Sequence, residues 1–136
     1  MTQLIANSDG ACRGNPGASA LGVIIKTPTG QVVKQICRTL GHMTNNQAEY
    51  SAVIAALEES LKLGATELLL SADSELVVKQ LNGQYRVKNA ALAPLFARVK
   101  ALEPKFKSIK YRYVPRERNR DADALANKAL DDLKGN

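Results

Sequence analysis

The sequence predicts an α/β domain in which an antiparallel meander leads into βα units. Three observations carry this. Two β-branched runs, 19–27 (SALGVIIKT) and 31–39 (QVVKQICRT), flank Pro28-Thr29-Gly30, the pattern of a hairpin. Residues 45–63 place Tyr50, Ile54, Leu57 and Leu61 at spacings of four, three and four, which is one helical face. Residues 67–72 (ELLLSA) form a short continuous apolar run, the mark of a central strand covered on both faces and paired in parallel. With 136 residues and no internal repeat, low-complexity tract or linker, the chain is expected to be one domain spanning 1–136.

Taken in order, Leu4-Ile5-Ala6 begin a first strand that is expected to end at Asp9. Gly14-Asn15-Pro16-Gly17 then force a turn, glycine by admitting positive φ and proline by presetting φ near −65°. The hairpin completes the meander, and a polar loop holding the only histidine, His42, is expected to follow. Thr44, Asn45 or Asn46 can cap the helix over 45–63, Gly64 ends it, and Glu49 is expected in its first turn, favourable to the helix dipole. Glu49 also aligns with Val53 and Ala56, on the border of the apolar face. Asp73 stands just past the 67–72 strand, placed either to cap the next helix or to project from the sheet edge; Gly83 closes that helix. A further helix over about 90–102 has Pro94 in its first turn. Residues 107–114 alternate as a strand with Ile109, Tyr111 and Tyr113 on one face, and Pro115 stops it. A basic loop, Arg116 to Arg120, precedes a last helix over about 121–133, whose apolar stripe is Ala122, Ala126, Ala129 and Leu133 with Asp123 beside it.

Composition narrows the class. No apolar run approaches the roughly 18–20 residues of a membrane span, and MTQLIANSDG lacks the basic start and apolar core of a secretory leader. Cys12 and Cys37 form no zinc-type pair and read as two reduced thiols, so a cytoplasmic protein is expected. The net charge of +6 is uneven: residues 1–75 carry −2 and residues 76–136 carry +8. A basic half points to a polyanion partner or to a plain solvated surface. Six aromatics without tryptophan argue against a base-stacking platform.

Asp9 and Asp73 both fall at expected strand ends, where ligands of open α/β sheets collect. Glu49 and Asp123, near helix starts, can close the group from two sides. Each alone has an ordinary structural explanation as a turn, cap or dipole residue; four together are less readily explained so. Crowded carboxylates raise one another's pKa unless cations neutralise them. All-oxygen ligands favour Mg²⁺ or Mn²⁺, and two such ions about 3.5–4 Å apart support phosphodiester cleavage.

Four motifs carry a resemblance. DGACRGNPG (Asp9 to Gly17), TNNQAEY (Thr44 to Tyr50), ADSELVVKQL (Ala72 to Leu81) and RDADALAN (Arg120 to Asn127), in that order, resemble the type 1 ribonuclease H family over nearly the whole chain. The resemblance implies a five-stranded mixed sheet in order 3-2-1-4-5 with helices on both faces. It implies hydrolysis of the RNA strand of an RNA/DNA hybrid with two Mg²⁺ (or Mn²⁺) ions, leaving 5′-phosphate and 3′-hydroxyl ends. Asp9, Glu49, Asp73 and Asp123 match the family's catalytic, metal-binding carboxylates. Asn15, Asn45 and Asn46 match nucleic-acid contacts, with Thr44 and Asn15 near a phosphate of the DNA strand. The backbone of Gly10 and Ala11 matches a segment lying along the RNA, and Cys12 and Glu75 complete the expected contacts. Short amide side chains suit the 2′-hydroxyls that distinguish RNA from DNA.

The chain departs from the family pattern in three places. No His lies in the loop before the last carboxylate, which leaves Arg116, Glu117 or Arg118 to take its role. Only a short link follows Gly83 where some members carry a basic, Trp-rich handle, so grip is expected from residues such as Lys88, Arg112 or Arg118. Glu75 stands where many members have Gln. The expected protein is a monomer without an obligate protein partner or a preceding hybrid-binding domain. The rivals are a nuclease of the same fold acting on double-stranded RNA or DNA, and a hybrid-binding module without catalysis.

Overall fold

The computed structural model describes residues 2–134. Its elements are β1 (Gln3–Arg13), β2 (Gly17–Lys26), β3 (Val32–Met43), α1 (Asn45–Lys62), β4 (Glu67–Ala72), α2 (Glu75–Leu81), α3 (Ala93–Leu102), β5 (Ser108–Tyr113) and α4 (Arg120–Lys134). One five-stranded sheet has the order β3-β2-β1-β4-β5. β1, β2 and β3 pair antiparallel, whereas β1–β4 and β4–β5 are parallel. The α/β class, the meander, the strand order and the parallel neighbours β1 and β4 are therefore as expected.

Alternation along the strands divides the side chains between two faces. Leu4, Ala6, Leu21, Val23, Ile25, Leu68, Leu70 and Tyr111 join the main core with Tyr50, Val53, Leu57, Val77, Leu81 and Val99 of α1, α2 and α3. The opposite face is packed by α4, which lies on β1, β2 and β3. Two glycines set how closely the helices approach. A Cβ at Gly10 would lie 2.6 Å from the Ala48 carbonyl oxygen of α1, and one at Gly22 would lie 2.6 Å from the Ala126 amide nitrogen of α4. Both distances are below any carbon–oxygen or carbon–nitrogen contact, so only glycine admits the helices there.

Several local expectations are corrected. β1 does not end at Asp9 but continues to Arg13, because Asp9 to Arg13 go on pairing with β2. What ends there is the parallel ladder, whose last pair is Ser8 with Ala72. His42 lies within β3 opposite Ala18 rather than in a loop. Glu49 sits in the second turn of α1, and Thr44 alone provides its cap: Gln47 N–H donates to Thr44 Oγ1 (3.2 Å) and Thr44 N–H to Gln47 Oε1 (2.9 Å). Ser74, not Asp73, caps α2. Leu133 is exposed and Leu130 is buried in its place, since the stripe of α4 turns with the helix. Of the two tyrosines on one face of β5, Tyr111 is buried and Tyr113 is exposed.

Candidate active site

Asp9 and Asp73 stand just beyond the Ser8–Ala72 pair, so parallel pairing brings the two carboxylates together. Glu49 arrives from α1, whose backbone rests on Gly10. Each of the three offers an oxygen, and these atoms all lie within 4.8 Å of one another. They floor an open cleft of about 430 Å³ that is also lined by Gly10, Ala11, Cys12, Asn45, Asn46, Arg116 and Asp123. Asp9 and Glu49 are buried, and Glu49 Oε2 has no hydrogen-bond partner.

Electrostatics follow from that crowding. Burial, then the charges of Glu49 and Asp73, push the Asp9 carboxyl up to about 10. Burial, then the charge of Asp73, pushes Glu49 up to about 8, against the lowering effect of the Gly10 N–H. Asp9 and Glu49, buried and held this close to other carboxylates, disfavour their own ionisation unless a cation joins them. The donor set is oxygen only, which fits a hard divalent cation, and the orphaned Glu49 Oε2 is the acceptor such an ion would satisfy.

Asp123 lines the same cleft from the first turn of α4 but stands outside the tight trio. Its Oδ1 accepts from Asn127 Nδ2 (3.2 Å) and lies 3.6 Å from Arg116 Nη2. The N-terminus of α4 is tied to β1 through buried Asn119, whose Nδ2 donates to the Ser8 carbonyl (2.9 Å) and whose Oδ1 accepts from Asn7 Nδ2 (3.0 Å).

The expected substrate contacts divide. Asn45 and Asn46 line the cleft with the Gly10–Cys12 segment. Asn15 reaches across to the start of α1, where its Oδ1 accepts from Asn45 N–H (3.1 Å), joining the turn to the helix. Thr44 is occupied as the cap. Glu75 instead pairs with Lys79 (3.1 Å) along α2, and it is the neighbouring Ser74 that borders the cleft. Of the loop residues, Arg116 lines the cleft, while Glu117 and Arg118 line a smaller hollow beside Asn7. Sequence reasoning passed over Arg13, a cleft residue paired with Asp131, and Gly22, Asn119 and Asn127. Only Asn127 left a signal, four residues after Asp123 on one helical face.

Comparison with known proteins agrees with this geometry. A family model described as reverse transcriptase-like matches residues 7–129. The bifunctional protein Rv2228c of Mycobacterium tuberculosis is 42% identical over 130 residues, 95% of this chain and 36% of that protein. Ribonuclease HI of Halobacterium salinarum is 44% identical over 124 residues, 91% of this chain and 62% of the relative. The chain thus spans between about a third and two thirds of the length of these relatives. The crystal structure of the halobacterial RNase H1 superposes with a TM-score of 0.93 at 43% identity, covering 96% of this chain and 98% of the other. LC11-RNase H1, from compost metagenomic material and solved in complex with an RNA/DNA hybrid, gives a TM-score of 0.92 at 36% identity, covering 96% and 98%. The chain belongs to the type 1 ribonuclease H family.

Proposed function

We propose that the protein is an endoribonuclease that hydrolyses the RNA strand of RNA/DNA hybrids, leaving 5′-phosphate and 3′-hydroxyl ends, and that it acts as a cytoplasmic monomer folded as one domain over residues 1–136. The observation that carries the reading is the trio Asp9, Glu49 and Asp73 on the floor of an open cleft, with a buried carboxylate oxygen lacking any partner. Asp9, Glu49, Asp73 and Asp123 would hold two Mg²⁺ or Mn²⁺ ions. When bound, such ions activate water and stabilise the leaving oxygen of a phosphodiester. The chain's own part is placement. Gly10 keeps Glu49 against β1, Gly22 keeps α4 and Asp123 against β2, and Asn119 ties the start of α4 to Ser8.

The substrate lies across the cleft mouth in this reading. Gly10, Ala11 and Cys12 present backbone along the RNA, and Asn45 and Asn46 read its 2′-hydroxyls. Asn15 and Thr44 stand by the DNA strand and hold the turn and helix start in register. Glu75, tied to Lys79, contributes a weaker contact. Arg116 takes the place of the loop histidine beside Asp123, with Glu117 and Arg118 flanking it.

The test is cleavage of an end-labelled RNA/DNA hybrid beside RNA/RNA and DNA/DNA duplexes, each with Mg²⁺, Mn²⁺ or EDTA. Metal-dependent loss of the hybrid's RNA strand alone, absent in Asp73→Asn while its circular dichroism is unchanged, is the expected result. Full activity in that variant would sink the site assignment, and cutting of another duplex would overturn the substrate.

A further inference from the structure

Positive charge is unevenly satisfied on this molecule. Arg13, Lys26, Lys34, Lys62, Lys79, Arg98, Lys100, Arg116 and Lys128 each have a carboxylate within 4.0 Å. Among the residues whose side chains are described, and apart from Arg38, Arg86 and Lys88, those without one fall on and around β5: Lys105, Lys107, Lys110, Arg112, Arg118 and Arg120, all exposed. Glu67 and Glu117 are the unpaired acids on these same elements.

The sheet topology gives these cations a common floor. α4 covers β1, β2 and β3, and α1, α2 and α3 pack on the other face, so the α4 side of β4 and β5 carries no helix among the described residues. Lys110 and Arg112 project to this open side, because Ile109 and Tyr111, which alternate with them, face the core. One row across the sheet runs Ile24, Asn7, Ser71, Arg112, and Arg112 Nε donates to Ser71 Oγ (3.1 Å). A hollow of about 220 Å³ at the head of the row is lined by Asn7, Lys26, Arg118 and Arg120. Ser71 precedes Asp73 by two residues, so the row crosses β4 just short of its end at the carboxylate cleft.

Edge-strand protection accounts for only part of this. Charged residues keep an exposed strand from pairing with another chain. The other edge, β3, is twice as long at 12 residues against 6, yet Lys34 there is paired and Arg38 is the single unpaired cation. A run of unpaired cations is what a phosphodiester backbone requires, since neutralised phosphates release their counterions. Alternate strand positions such as Lys110 and Arg112 repeat about every 6.6 Å, which lets successive cations track a strand.

We infer that the open face of β4 and β5, with Lys110, Arg112, Arg118 and Arg120, is a second nucleic-acid tract that holds the phosphate backbone of substrate extending past the cleft. It rests on the proposed hybrid substrate and explains how a chain with a short α2–α3 link grips it.

The experiment compares wild type with the double variant Lys110→Gln, Arg120→Gln. Fluorescence anisotropy in EDTA reports binding to a hybrid just long enough to fill the cleft and to one about three times longer, over a salt series. Cleavage of both is then measured in Mg²⁺. The variant is expected to bind the long hybrid about tenfold more weakly and to lose about 0.9 in log–log salt slope for each phosphate contact removed. It is expected to cut the short hybrid at the wild-type rate. Unchanged long-hybrid affinity and salt slope would overturn the tract, as would lost binding to anionic vesicles without lost binding to hybrid. Because binding is read without metal, wild type that binds in the expected way but never cuts would reject the proposed catalysis and leave the tract standing.

Discussion

Asp9 faces Gly22 directly across the β1–β2 ladder, and the backbone of α4 lies on that glycine. The absence of one side chain therefore sets how near Asp123 stands to the carboxylate trio. A Cβ at position 22 would collide with the Ala122 carbonyl oxygen, in the turn of α4 that carries Asp123.

Gly22→Ala is accordingly expected to push α4 outward. Overpacking of this kind costs about 1–3 kcal/mol, and cleavage should fall further than stability does. Denaturant unfolding together with cleavage rates checks this; a variant as stable and active as wild type would show that α4 tolerates the shift.

The pH dependence of metal-free stability follows from the raised carboxyls. Asp9 and Glu49 bind protons more tightly folded than unfolded, where they titrate near about 4. Stability of the protein in EDTA is therefore highest below pH 4 as far as these two groups are concerned. It declines as pH rises toward about 8 and about 10, where the folded groups ionise. Thermal melts in EDTA should drop across that window, and Mg²⁺ should restore the loss. Glu49→Gln, which keeps an acceptor for the Gly10 N–H, should melt higher than wild type at pH 9 without metal while losing activity. A flat profile in wild type would count against the buried cluster.

Thr44→Ala removes the reciprocal cap of α1 and leaves the Gln47 N–H without its side-chain acceptor. About 1 kcal/mol of stability should be lost. Because Asn45 and Asn46 follow the cap, KM for the hybrid should rise more than kcat falls. Equal effects on both would place Thr44 outside substrate positioning.

Arg116→Ala takes away the cation beside Asp123, 3.6 Å from its Oδ1. The cleft becomes more negative, so half-saturation by Mg²⁺ should occur at lower concentration while maximal turnover decreases several-fold. A Mg²⁺ titration of the cleavage rate reads both, and an unchanged curve would remove Arg116 from the site.

Periodicity and turn chemistry sufficed for much of this molecule. The helix over 45–63 and the strand over 67–72 were legible because apolar spacing is a local property, and Pro28-Thr29-Gly30 announced its hairpin by backbone preference. The motifs around Asp9, Glu49, Asp73 and Asp123 pointed to the site by resemblance. Where β1 and β3 end was not legible, for a strand continues as long as a neighbour pairs with it, and that neighbour is distant in sequence. Leu130 replaced Leu133 because the buried stripe of α4 turns with the helix against the sheet it packs on.

By itself, then, the sequence determined the elements and their order, and singled out the four carboxylates as candidates. Tertiary structure decided that Asp9, Glu49 and Asp73 form one tight trio, which Asp123 meets through Asp9 beside Arg116, since this depends on how closely α1 and α4 approach Gly10 and Gly22. It also decided which cations find partners, because ion pairing is a matter of distance in space, and nothing local records that α4 stops short of β4 and β5.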